Sequence, residues 1–160
     1  MKNQLKIIHP QTLMDLSDLA KASPRLRKNL NFHADDAAQC HRLLNALEPG
    51  TYLQPHRHLN PNKDETMIVL SGRFGVLIFD DAGQVVDTVI LAQENGNLAL
   101  TLPVGMFHST VALATGSVFF ESKAGPYAPL TDDEKASWAP AEGEPGCAEY
   151  LAKMLSYFSA

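Results

Sequence analysis

Three histidines and one glutamate carry the most specific chemistry in this sequence. His56 and His58 stand two residues apart. In extended backbone such residues share a face, so both imidazoles can meet one ion. Neutral imidazole is the commonest protein ligand for mid-series divalent ions. Asn60-Pro61-Asn62 then turns the chain, and Glu65 opens the next apolar run. Glu65 either offers its carboxylate to the same ion or holds a histidine N–H from behind. Pro103-Val104-Gly105 forms a tight turn, and His108 follows it at a strand start. The expectation is one divalent transition metal ion (zinc, iron, nickel or manganese) on His56, His58, His108 and Glu65.

A second set of polar residues falls where the pattern otherwise reads as core. Glu121 and Lys123 alternate with Phe119 on one strand face. They form a buried ion pair, or they face the metal as acid/base groups. Tyr52 and Gln54 share the parity of His56 and are expected to line the same interior, with Tyr52 a third candidate for catalysis. Arg57, between two inward histidines, should face outward. His9 and His41 read as structural or exposed. Arg25, Arg27 and Lys28 form a basic cluster, read as a solvated face.

These residues need a scaffold of short strands. Apolar runs fall at about 39–47, 51–57, 65–71, 73–79, 85–91, 98–102, 108–114 and 117–123, separated by turn residues such as Ser71-Gly72 and Asn95-Gly96-Asn97. That texture predicts a β-sandwich or barrel. Asp81-Ala82-Gly83 marks a hairpin. Upstream, Leu13, Leu16, Leu19 and Ala20 make a helical stripe that Thr12 could cap. Downstream, 124–147 reads as an extended wrapping segment, and 148–158 as a docked helix with Leu151, Met154, Leu155 and Phe158 on one side.

The pattern resembles the cupin superfamily. Gly50, His56, His58, Glu65 and Gly72 fit its first motif, although six residues separate His58 from Glu65, a longer gap than usual. Pro103, Gly105 and His108 fit the second, while Asn97 and Ala112 replace its leading glycine and final asparagine. More narrowly, the chain resembles the WbuC-type cupin-fold metalloproteins. The carrying residues are Ser23-Pro24-Arg25-x-Arg27, Asn31-Phe32-His33, Pro55-His56-Arg57-His58, Lys63-Asp64-Glu65, Phe79-Asp80, Glu121-x-Lys123-x-Gly125-Pro126-Tyr127 and Trp138-Ala139-Pro140. The resemblance implies a small bacterial metal-binding cupin, often found beside surface-polysaccharide genes, with no assigned reaction. Asn31 and His33, part of that set, are either loop residues or a lid bringing His33 into the pocket.

The expected fold is therefore mainly β: a single cupin (double-stranded β-helix, jelly-roll) barrel over 39–123, with a helical lead-in over 1–38 and a C-terminal extension and helix over 124–160, together one structural domain. A length of 160 residues fits that. The net charge of -5 argues against nucleic acid and anionic lipid as partners. Cys40 and Cys147 form no zinc-knuckle or disulfide framework. No run has the ~7–15 apolar residues of a signal peptide or the ~20 of a membrane span, so a cytoplasmic protein is expected. Its partners are a small-molecule substrate or ligand and, by the habit of cupins, a second copy in a homodimer. Three functions stay open. One is a metal-dependent isomerase, epimerase or lyase on a small polar, possibly sugar-derived substrate. The second is an iron dioxygenase, and the third a non-catalytic metal or ligand-binding cupin, as sensor or accessory protein.

Overall fold

A computed structural model describes residues 5–94 and 96–159. The first four residues of the lead-in and Asn95 of the expected Asn95-Gly96-Asn97 break lie outside them. The described chain runs α1 (Pro10–Lys21), β1 (Arg27–Asn31), β2 (Cys40–Leu47), β3 (Glu65–Ser71), β4 (Arg73–Phe79), β5 (Val85–Ala92), β6 (Ala99–Leu102), β7 (Phe107–Ala112), β8 (Ser117–Ala124) and α2 (Cys147–Ser156). The strands form two antiparallel sheets, ordered β1-β2-β8-β3-β6 and β5-β4-β7.

The two-residue period of each strand sorts its side chains into layers. Between the sheets lie Leu47, Met67, Val69, Phe74, Val76, Leu91 and Phe119. Behind the five-stranded sheet, Leu44, Ala46 and Val118 pack on Leu16 and Ala20 of α1. Behind the three-stranded sheet, Leu77, Phe79, Phe107 and Val111 pack on Ala136, Ala139, Leu151 and Met154. Covered on both faces, β7 is buried at every position. The wrapping segment and α2 thus shield one sheet, and α1 the other.

Two expected elements differ. Residues 51–57 form no strand; only His56 pairs, through reciprocal N–H···O bonds with His108 of 3.0 and 2.9 Å. Pro55 has no N–H to continue a ladder. Conversely, β1 emerges within the expected helical lead-in, as an edge strand on β2. Its sequence RKNLN is polar and largely exposed, so no apolar alternation announced it. In α1, Pro10 holds the first helical position, and the Thr12 hydroxyl reaches back to accept from the His9 N–H at 3.3 Å. Thr12 therefore lies inside the helix, and His9 precedes it.

The β3–β4 turn shows why a glycine is needed. Gly72 has φ +72°, and a Cβ there would come within 2.5 Å of Ser117 Cα. Behind the same corner, buried Glu48 accepts from the Ser17 hydroxyl (2.7 Å), the Thr115 hydroxyl (2.5 Å) and the Gly116 N–H (2.9 Å). That carboxylate ties α1 to the β7–β8 turn. No described helix is long and apolar enough to cross a membrane.

Candidate metal centre and cavity

His56 and His58 sit on the extended stretch before the Asn-Pro turn, Glu65 starts β3, and His108 lies in β7. The β-bridge sets His56 opposite His108, and their ring centroids are 4.6 Å apart. One ligand atom from each of His56, His58 and His108 lies within 4.8 Å of the others. Glu65 Oε2 is 3.1 Å from His58 Nε2 and 3.8 Å from His108 Nε2. Two donors about 2.1 Å from one ion lie roughly 3.0–3.4 Å apart at octahedral to tetrahedral angles. The Glu65–His58 distance falls in that range, and the three histidine donors, within 4.8 Å of one another, would draw closer around an ion.

The ring tautomers agree with that. His56 Nδ1 faces the Gln54 carbonyl at 3.1 Å, and His108 Nδ1 faces the Met106 carbonyl at 2.9 Å. A carbonyl only accepts, so each Nδ1 carries the proton and leaves the Nε2 lone pair free. Burial, reinforced by His108, pushes His56 down to about 3. Burial likewise lowers His108. For Glu65 burial acts upward, but the His58 hydrogen bond and the Lys123 charge hold it well below the usual carboxylate range. Neutral imidazoles beside an ionised carboxylate are the protonation states in which these groups bind metal.

A cavity of about 460 Å³ opens onto this wall. His56, Glu65 and His108 line it, as do Glu121 and Lys123 of β8. Sheet pairing sets Lys123 opposite Glu65 and Glu121 opposite Met67. Lys123 Nζ lies 2.5 Å from Glu121 Oε1, an ion-pair contact rather than an aligned hydrogen bond, while Glu121 Oε2 accepts from Asn45 Nδ2 at 2.7 Å. Burial, then the Glu65 charge, pushes Glu121 up to about 7 against the pull of Lys123. Burial alone would lower Lys123; Glu65 and Glu121 outweigh it and hold it above its usual value. The pair faces the cavity beside the histidine cluster.

Four other candidates stand away from the cavity wall. The Tyr52 hydroxyl donates to the Pro140 carbonyl at 2.7 Å, and its ring packs behind the three-stranded sheet. Gln54 Nε2 donates to the Ala136 carbonyl at 3.1 Å. Both anchor the wrapping segment; 51–55 is not a strand, so their parity with His56 does not turn them into the cavity. Asn31 is exposed at the end of β1, where its Oδ1 accepts from Asn29. His33 is buried, but stacks on His41 with centroids 4.0 Å apart and takes the Arg42 N–H on Nδ1. Arg57 does turn away from the cavity, onto the Phe107 ring and Asp81. Arg25 and Lys28 are exposed, as a solvated face would be, and with Arg27 they also line the cavity, joined by Asn29, Asn45 and Thr110. Their signal was weak, because polar residues on a short edge strand look like any solvated face.

Comparison with known proteins agrees with the architecture. The model of the family described as "Domain of unknown function (DUF6016)" matches residues 8–91, more than half the chain. That span holds His56, His58 and Glu65 and stops short of His108. No curated protein matches. Among solved structures, a conserved protein of unknown function from Streptococcus pyogenes is similar at 14% identity and TM-score 0.52, covering 79% of this chain and 93% of its own. A protein from Shewanella oneidensis is 13% identical at TM-score 0.51, covering 62% and 68%. A cupin superfamily protein from Desulfitobacterium hafniense is 14% identical at TM-score 0.50, covering 68% and 86%. At such identities the likeness shows the fold, a cupin jelly-roll barrel.

Proposed function

The chain belongs to the family of the domain of unknown function DUF6016, and we propose that it is a metal-dependent cupin enzyme moving protons on a small polar, sugar-derived substrate. The observation that supports this is the Glu121–Lys123 pair, placed on the same cavity wall as His56, Glu65 and His108. An inert ion pair needs no cavity; an acid/base pair does. His56, His58, His108 and Glu65 would hold the ion. A divalent ion at such a site supplies a Lewis acid that polarises a carbonyl or hydroxyl oxygen.

The remaining work falls to the chain's own groups. Lys123, kept protonated by Glu65 and Glu121, offers a fixed positive charge that stabilises negative charge developing in the cavity. Glu121, held near 7, can take or give one at neutral pH. Asn45 fixes its orientation through Oε2. Leu47, Leu53, Met67 and Phe119 supply an apolar patch of the wall. That set suits isomerisation, epimerisation or elimination beside a carbonyl. The WbuC-like residues support placing the substrate in surface-polysaccharide metabolism.

The test uses full-length protein, metal-loaded and chelated, incubated in heavy water with a panel of sugar-derived carbonyl compounds. Proton NMR should show metal-dependent loss of a signal beside the carbonyl, abolished in Glu121→Gln. No exchange by metal-loaded wild type would reject the enzymatic reading. Metal analysis belongs to the same preparation: His56→Ala/His58→Ala should bind no stoichiometric ion.

A further inference from the structure

The mouth of the cavity carries positive charge that the metal centre does not use. Arg25, Arg27 and Lys28 line it as the chain enters β1. One carboxylate answers the two arginines. Glu142, from the wrapping segment, accepts from Arg25 Nε and Nη2, both at 2.8 Å, and from Arg27 Nη2 at 2.6 Å. Lys28 makes no ion pair among the described residues. Three cations against one carboxylate leave an excess at the mouth, in a chain whose net charge is -5.

The local sign therefore opposes the global one. Deeper in the cavity Glu65 and Glu121 face Lys123, so the positive excess belongs to the rim, where it draws small anions to the mouth. Arg27 is a fixed part of this rim: it is 15% exposed and also donates to the Tyr52 carbonyl at 3.0 Å. Arg25 is 61% exposed, so one face of its guanidinium stays open to the mouth. Glu142 fills the Nε–Nη2 fork of Arg25, so an incoming carboxylate would meet Arg25 Nη1 and Lys28 Nζ, which make no hydrogen bond among the described residues.

The geometry points to a small organic acid as the cavity's ligand, its carboxylate held at the mouth by Arg25 and Lys28 and its hydroxyl or oxo groups directed to the His56, Glu65 and His108 wall. This deepens the proposed function and rests on it for the inner contacts. The cavity, about 460 Å³, lies low in the range of small-molecule sites, ~300–1,000 Å³. That limits the acid to the size of a sugar acid rather than a polymer.

Calorimetric titration of cobalt-loaded protein with three matched acid–neutral pairs tests this: D-gluconate with D-glucitol, D-glucuronate with D-glucose, and D-glycerate with glycerol. At least one acid should bind at least tenfold more tightly than its neutral partner. Arg25→Gln/Lys28→Gln should weaken that acid about tenfold without changing cobalt stoichiometry. Equal or absent binding across all three pairs overturns the assignment, as does an unchanged affinity in the double variant. Protein that takes up no cobalt refutes the metal reading instead, and the same titration on metal-free protein then decides the charge preference by itself.

Discussion

Lys123 sits between two carboxylates, and its removal exposes what each interaction contributes. Without it, buried Glu65 and Glu121 would face one another uncompensated, and one would have to take a proton or the fold loosen. Lys123→Met should therefore destabilise the protein, while Lys123→Met/Glu121→Gln should recover part of the loss. Breaking a fully buried pair costs about 3–5 kcal/mol; Lys123 keeps 25% exposure, so about 1–3 kcal/mol of coupling is expected. Urea unfolding of wild type, both single variants and the double variant measures it, and strictly additive losses would contradict the pairing. At this scale the histidines were legible because His-x-His and the Pro-x-Gly turn fix faces by spacing alone. Arg25, Arg27 and Lys28 were not, since nothing in RLRK says that the chain will fold beside a cavity. Tyr52 and Gln54 misled for the opposite reason: parity with His56 carries meaning only along a continuous strand, and Pro55 interrupts it.

Strands with two covered faces announced themselves. The continuous apolar run of β4 and the alternation in β8 placed those elements within a residue of their observed limits. The polar edge strand β1 and the joint between α1 and the barrel stayed hidden, because both depend on hydrogen bonds to distant residues. Glu48 shows this best; in sequence it looks like the first residue of a Glu-Pro-Gly turn, yet it is buried and collects three donors. Burial pushes its carboxyl upward, but the Thr115, Gly116 and Ser17 bonds, with the Lys21 charge, bring it below its usual 4.5. A depressed folded-state pKa means stability that is present above the unfolded value and is lost as pH falls through the folded one. Glu48→Gln should cost about 1–2 kcal/mol at pH 7, as charge-assisted bonds become neutral ones. The gap to wild type should stay constant from pH 6 to 8 and narrow below about pH 4.5. Thermal melts of both proteins across that range check it, and a gap that widens in acid would reverse the assigned sign.

For the molecule as a whole, the candidate metal centre gathers residues from both sheets. Glu65 belongs to the five-stranded sheet and His108 to the three-stranded one. His56 and His58 lie on the connection from β2 to β3, both strands of the five-stranded sheet, with His56 bridged to His108 of the other sheet and, on its other side, to Lys135 of the wrapping segment. One ion on these residues would cross-link both sheets through segments distant in sequence, a role that spacing could suggest only for the histidines. An ion bound to the native state alone adds RT ln(1 + [L]/Kd), about 4 kcal/mol when free metal stands at a thousand times Kd. In a chain of this length 1 kcal/mol moves Tm by about 2–4 °C, so loading the site should raise Tm by about 8–16 °C. A chelator should return wild type to the apo value, and His56→Ala/His58→Ala should melt at one temperature with or without metal. Amide exchange should locate the effect: protection lost on chelation should concentrate in β3, β7 and the 54–60 stretch, leaving the α1–β2 face unchanged. Uniform loss across both faces would mean that the ion stabilises the fold without fastening one sheet to the other.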